Sequence, residues 1–137
     1  MRYMLDTNIL IYLLKNRPVS VAQRFNKLGE DAQLCMSFFT YAEMLKGAER
    51  STRKHRVLRQ LGQLVRQVPV IYHVNRTLCE QYAAHFTYLK ESGMPVGAND
   101  LWIACHALAE DVILVTHNTK EFNRIKGLSF EDWVDWT

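Results

Sequence analysis

Five consecutive apolar or β-branched residues, VILVT at 112–116, constrain this chain more than any other stretch. A strand without polar alternation is buried on both faces, and such strands belong to parallel sheets covered by helices on either side. Shorter apolar runs suit the same sheet: RYMLD at 2–6, QLCMS at 33–37 and VIY at 70–72, with a small edge strand and a packed aromatic tail expected in GLSFEDWVDWT. Parallel strands need long crossover connections, and the intervening stretches carry helical periodicity. The expected architecture is α/β, a three-layer sandwich with a central, mainly parallel sheet flanked by helices. At 137 residues and 48% apolar, the chain suits a single domain spanning 1–137 with one sizeable core.

Ile9, Tyr12 and Leu13 predict a helix over 8–15, and Ser20 with Gln23 has capping-box spacing ahead of Val21, Phe25 and Leu28 on one helical face. Thr40 with Glu43 has the same spacing and introduces a helix over 43–50. Leu58, Leu61 and Val65 mark another over 54–67, which ends before Pro69. Leu78, Tyr82, Phe86 and Leu89 line a helix stopped near Gly93 and Pro95. Ile103, Ala104, Ala107 and Leu108 line the next, which Asp100 opens. The cluster Leu10, Ile11, Leu13 and Leu14 is more apolar than one internal face needs and points to a dimer contact.

Ligand sites of open parallel sheets lie at the carboxyl ends of the strands. Asp6 ends the first strand in the run MLDTNILIYLL, where an unpaired buried carboxylate costs several kcal/mol. Glu43 follows the 33–37 strand, Asp100 begins a helix, and Asn118 and Glu121 follow the 112–116 strand. Taken singly, Asp6 reads as a helix cap, Glu43 as the acid of the Thr40 box, Asp100 as a charge at a helix start and Asn118 as a turn residue. Taken together with Glu121, the three acids are carboxylates that a fold brings to one edge, where mutual repulsion calls for a cation. A hard divalent ion, Mg²⁺ with Mn²⁺ as substitute, suits oxygen donors. Asp6, Glu43 and Asp100 are the core ligands, Glu121 an outer or second-metal ligand and Asn118 a neutral oxygen; Asn8 and Thr116 are placed to fix carboxylate rotamers.

Lys and Arg number 17 against 14 Asp and Glu, and seven of the basic residues fall between Lys46 and Arg66. Lys46, Arg50, Lys120 and Arg124 are the candidates for phosphate contacts, against the reading of a solvated helix face. The five histidines show no HExxH and no close pair, which disfavours zinc. His117 either touches substrate phosphate or has no role. Three cysteines without a CxxC read as reduced thiols. Neither a signal-peptide pattern nor an apolar run of membrane-spanning length occurs, so a cytoplasmic protein with no membrane contact is expected. GxSxG, Walker A and GxGxxG are absent.

Four stretches in order, MLDTNILIYLL, SFFTYAEMLKGA, VGANDLWIACHAL and LVTHNTKEF, resemble the PIN-domain ribonucleases, and among them the VapC toxins of bacterial type II toxin–antitoxin pairs. The resemblance implies that Asp6, Glu43 and Asp100 are the family's three acidic positions, with Asn8 the polar companion of the first. At the fourth position many relatives carry aspartate where Asn118 stands, which leaves either Asn118 or Glu121 to fill it. The resemblance further implies a Mg²⁺-dependent endoribonuclease, nearest to the enterobacterial-type subset that cuts initiator tRNA in the anticodon stem-loop. A cognate VapB-type antitoxin, operator DNA bound only through that antitoxin, a toxin homodimer and a toxin–antitoxin hetero-oligomer also follow from it. The alternatives are a metal-dependent DNA nuclease and a non-catalytic RNA-binding or protein-interaction module.

Overall fold

The computed structural model describes residues 1–136. Five strands, β1 (Arg2–Leu5), β2 (Gln33–Ser37), β3 (Val70–Ile71), β4 (Ile113–Val115) and β5 (Phe130–Glu131), form one sheet in the order β3-β2-β1-β4-β5. Every pairing is parallel, which sharpens the expectation of a mainly parallel sheet. Helices α1 (Thr7–Lys15), α2 (Val19–Lys27), α3 (Phe38–Glu49), α4 (Lys54–Gln67), α5 (Arg76–Glu91), α6 (Ala98–Glu110) and the single turn α7 (Thr119–Phe122) make the crossovers and flank both faces.

The period-2 alternation of the strands divides the interior into two cores. Tyr3, Leu5, Met36 and Val115 point to one face, where they pack with Ile9, Leu10, Val21, Leu61 and Leu64 from α1, α2 and α4. Met4, Cys35 and Leu114 point to the other, against Leu78 and Leu89 of α5 and Leu101, Ile103 and Ala104 of α6. Chain order departs from β1 in both directions, so the switch point lies between β1 and β4, where a crevice opens beyond the strand ends.

At that edge the alternation has a second effect. Met4 is level with Cys35 and Leu5 with Val115, so the next places along the three central strands hold Asp6, Ser37 and Thr116 in one row. All three are buried, at 6%, 0% and 0% exposure, and all lie beyond the apolar part of the sheet. The sequence of each strand thus changes from apolar to polar at the same height.

Several helix starts differ from the expected ones. Ser37, whose hydroxyl oxygen accepts from Phe39 N–H at 3.1 Å, caps α3, so Thr40 lies inside the helix and not at its end. Thr40 Oγ1 is buried without a hydrogen-bond partner among the described residues. Ser20 does not cap α2, which starts after Pro18; its hydroxyl accepts from Asp135 N–H at 2.8 Å and ties down the tail. Helix α6 starts three residues before Leu101, which leaves Asp100 in its first turn. The turn α7 was not anticipated, because four residues give no periodicity to read. Leu10 belongs to the core; Leu13 and the exposed Leu14 instead border a groove with Phe25 and Leu64.

Leu114 is fully buried in a central strand, so Leu114→Ala should lose about 2–5 kcal/mol in urea unfolding through transfer and cavity effects together. A loss below about 1 kcal/mol would mean that the α5–α6 core closes over the vacancy.

Candidate active site

Asp6 leaves β1 at the row just described, and its backbone N–H still bonds Val115 O at 3.0 Å as though the strand continued. Its carboxylate then turns to α1: Oδ1 accepts from Ile9 N–H at 3.1 Å and caps that helix. The capping reading is therefore borne out. Thr116, from the same row, donates to the Asp6 carboxylate, as a rotamer-fixing residue should. Asn8 contributes its backbone N–H to Asp6, while its side chain is exposed.

Glu43 lies on α3, where two polar residues hold it. Thr7 Oγ1 donates to Oε1 at 2.8 Å, and Asn99 Nδ2 reaches Oε2 at 3.3 Å. Neither Thr7 nor Asn99 was singled out from sequence, although both are immediate neighbours of acids that were: Asp6-Thr7 and Asn99-Asp100. Asn118 joins the remaining pair. Its Nδ2 donates to Asp100 Oδ2 at 3.1 Å and to Glu121 Oε2 at 2.7 Å, while its backbone N–H bonds Thr116 Oγ1 at 3.0 Å. Buried Phe122 anchors the turn that presents Glu121.

The electrostatics bind these groups into one cluster. Burial pushes the Asp6 carboxyl up to about 6, opposed by the Thr116 hydroxyl and helix N–H groups and reinforced by the charge of Glu43. Asp100 is also pushed up to about 6, by burial first and then by Glu121 through a shared hydrogen bond and like charge, with Asp6 adding to the effect. The ionic groups acting on both aspartates are other carboxylates. Two buried aspartates whose neighbouring charges are other carboxylates, with no basic partner among the groups that shift them, suit a hard divalent cation in charge and donor type. Among the described residues no three His, Cys, Asp or Glu side chains already stand as a metal-ligand set. The hydrogen bonds explain this, since Glu43 is turned to Thr7 and Asn99, and Asp100 and Glu121 to Asn118.

The cationic candidates divide. Lys46 is exposed on α3 one turn beyond Glu43, Arg50 is exposed as the residue that ends that helix, and Lys120 is exposed on α7. Arg124 is partly buried and donates to Pro95 O, so it latches the loop that leads into α6. His117 pairs with Asp132 at 2.9 Å on the surface.

The PIN-domain family model matches residues 3–128. The chain belongs to the PIN-domain family. Within it, Ribonuclease VapC1 of Haemophilus influenzae (strain R2866) is 49% identical over 98% of this chain and 99% of the relative. The tRNA(fMet)-specific endonuclease VapC of Shigella flexneri is 39% identical over 97% and 98%, respectively. The solved structure of VapBC-1 from nontypeable Haemophilus influenzae aligns with a TM-score of 0.90 at 48% identity, covering 98% of this chain and 100% of the matched one. Identity of this extent over the full fold places the chain among the VapC ribonucleases, hydrolases with a PIN domain.

The carboxylate cluster gives a pH prediction for the protein free of divalent metal. An acid whose folded pKa lies above its unfolded value binds more protons when folded, so stability falls as pH rises from about 4 to about 6 and then levels off. Asp6→Asn keeps an oxygen that can cap α1 while removing the charge, and in chelator at pH 7.5 it should unfold at higher urea, by up to about 3 kcal/mol. Equal stability of mutant and parent across that pH range would refute the raised carboxyl pKa.

Proposed function

We propose that this chain is a divalent-metal-dependent endoribonuclease toxin that cuts initiator tRNA in its anticodon stem-loop and is held inactive by a VapB-type antitoxin. The observation that carries the reading is the meeting of Asp6, Glu43, Asp100 and Glu121, from four separate parts of the chain, at the carboxyl edge between β1 and β4. The tRNA is inferred from the similarity to the tRNA(fMet)-specific endonuclease VapC of Shigella flexneri, and the antitoxin from the similarity to VapBC-1. A cytoplasmic location accords with that substrate, and no helix among the described residues is long and apolar enough to cross a membrane. A homodimer assembled with antitoxin into a larger complex is part of the same proposal.

Asp6, Asp100 and Glu43, with Glu121 outermost, would hold Mg²⁺ or Mn²⁺. When bound, such an ion supplies Lewis-acid stabilisation of phosphoryl oxygens and a water acidic enough to attack at neutral pH. The chain's own residues prepare the place. Thr116 fixes the Asp6 rotamer, Thr7 and Asn99 fix Glu43, and Asn118 keeps Asp100 and Glu121 side by side despite their repulsion. Below about pH 6 the Asp100 carboxyl holds a proton, which must leave before that acid can act as an anionic ligand. Hydrolysis by water needs no ribose 2′-hydroxyl, so the products carry 5′-phosphate and 3′-hydroxyl ends. Lys46 along α3, Arg50 at its end and Lys120, next to Glu121 in sequence, bind flanking phosphates; Arg124 adds its remaining guanidinium donors.

Purified protein incubated with initiator and elongator tRNAs, with end mapping, tests the proposal. Asp100→Asn should lower cleavage by at least about 10³-fold while leaving tRNA binding within about threefold, since its loss falls on the chemical step. Chelator should abolish cleavage, and Mg²⁺ or Mn²⁺ should restore it. Uncut initiator tRNA in the presence of either ion, or equal cutting of matched DNA, would reject the ribonuclease assignment. Binding by the Asp100→Asn protein should weaken with salt at a log–log slope of about −3 if the four basic residues meet phosphates; a slope near zero excludes them.

A further inference from the structure

The buried polar groups include one that the chemistry above does not use. His106, on α6, is 1% exposed. Its Nε2 lies 3.1 Å from the carbonyl oxygen of His73, just beyond β3. A carbonyl only accepts, so Nε2 carries the hydrogen. Its Nδ1 lies 2.8 Å from Ser37 Oγ. Burial holds the imidazole below its usual pKa and therefore neutral, which leaves Nδ1 as the acceptor of the serine proton. The same hydroxyl oxygen accepts from Phe39 N–H at 3.1 Å, and the Phe38 ring meets the imidazole edge-on at 5.3 Å. A directed chain thus runs from the first turn of α3 through Ser37 and His106 to the end of β3.

The position of this chain gives it a consequence. Helices α3 and α6 are cross-linked twice: Ser37 to His106, buried, and Glu43 to Asn99, exposed. Residue numbers rise along α3 as they fall along α6, so the two helices run antiparallel with these bonds as rungs. Six residues separate Ser37 from Glu43 and His106 from Asp100, a rise of about 9 Å along either helix. The inner rung sits in the polar row of the sheet beside Asp6, and the outer rung sits at the carboxylate cluster. An exposed amide–carboxylate bond is weak and solvent-exchanged, whereas a buried, fully satisfied network is rigid.

We propose that the buried Ser37–His106 bond sets the separation of Glu43 and Asp100, making His106 a positioning residue for the ribonuclease reaction. The proposal rests on that functional reading for its kinetic consequence, but not for its geometry. Two substitutions divide the imidazole between them. His106→Asn places an acceptor near the Nδ1 position and keeps the Ser37 rung, losing His73; His106→Gln reaches toward His73 and loses Ser37.

The test measures tRNA cleavage, Mn²⁺ affinity by calorimetry and melting temperature for both variants. His106→Gln should lose about tenfold or more in kcat with KM changed less than about threefold, and should bind Mn²⁺ more weakly; His106→Asn should stay within about threefold of the parent in kcat, KM and Mn²⁺ affinity. Ser37→Ala should match the His106→Gln loss, and the double variant should lose no more than either single one. Parental kcat and Mn²⁺ affinity in folded His106→Gln, or equal losses in both His106 variants, would overturn the proposal. Nitrogen-15 spectra of the unsubstituted protein apply whether or not the variants fold: a ring protonated at Nε2 alone from pH 6 to 8 supports the rung, and one protonated at Nδ1 overturns it. A parent that cuts no RNA, with the Mn²⁺ pattern intact, would reject the ribonuclease reading and uphold the positioning role.

Discussion

Register between parallel strands is the constraint on which the site depends. Because side chains alternate with period 2, the alignment that sends Leu5, Met36 and Val115 into one core also places Asp6, Ser37 and Thr116 together on the opposite face one residue later. A one-residue slip of any central strand would exchange faces and send a polar group into the apolar layer. Core packing therefore enforces the position of the chemistry. The apolar residues that fix the sheet are also those that deliver a threonine to Asp6 and a serine to α3.

Helix termini complete what the register begins. Asp6 caps α1, Ser37 caps α3, and Asp100 lies in the first turn of α6, so three helix starts converge where negative charge gathers. The partial positive charge of a helix N-terminus stabilises nearby carboxylates by fractions of a kcal/mol to about 1 kcal/mol each. That is too little to offset burial and mutual repulsion here, as the raised pKa values of Asp6 and Asp100 show. The fold assembles more negative charge than it neutralises, and the surplus is available to a cation.

Much of this was legible in the sequence, for reasons that differ from residue to residue. The strand QLCMS and the helix over 54–67 fall where the pattern placed them, because an uninterrupted apolar run and a clean amphipathic period admit few alternatives. Asp6 stood out because apolar residues surround it, and Thr116 because it ends the most apolar strand. The start of α3 was misplaced by the Thr40–Glu43 spacing: Ser37 gave a competing cap that only the end of β2 could select. Thr7, Asn99 and His106 were not given roles, since their partners lie 36, 56 and 69 residues away and spacing carries no sign of such contacts. Arg124 was read as a phosphate contact from its charge and its place close to the fourth motif; its bond to Pro95 O is a tertiary property.

Asn118 bridges Asp100 and Glu121 through a single amide nitrogen. An amide has a donor end and an acceptor end, and here the donor end is committed to two acids. Rotating the group by half a turn would exchange its hydrogens for an oxygen lone pair, converting a clasp between anions into a further oxygen donor. An aspartate at this place has two equivalent oxygens and no such choice. The asparagine therefore gives the cluster a two-position torsion, one orientation matched to bare carboxylates and the other to an incoming cation.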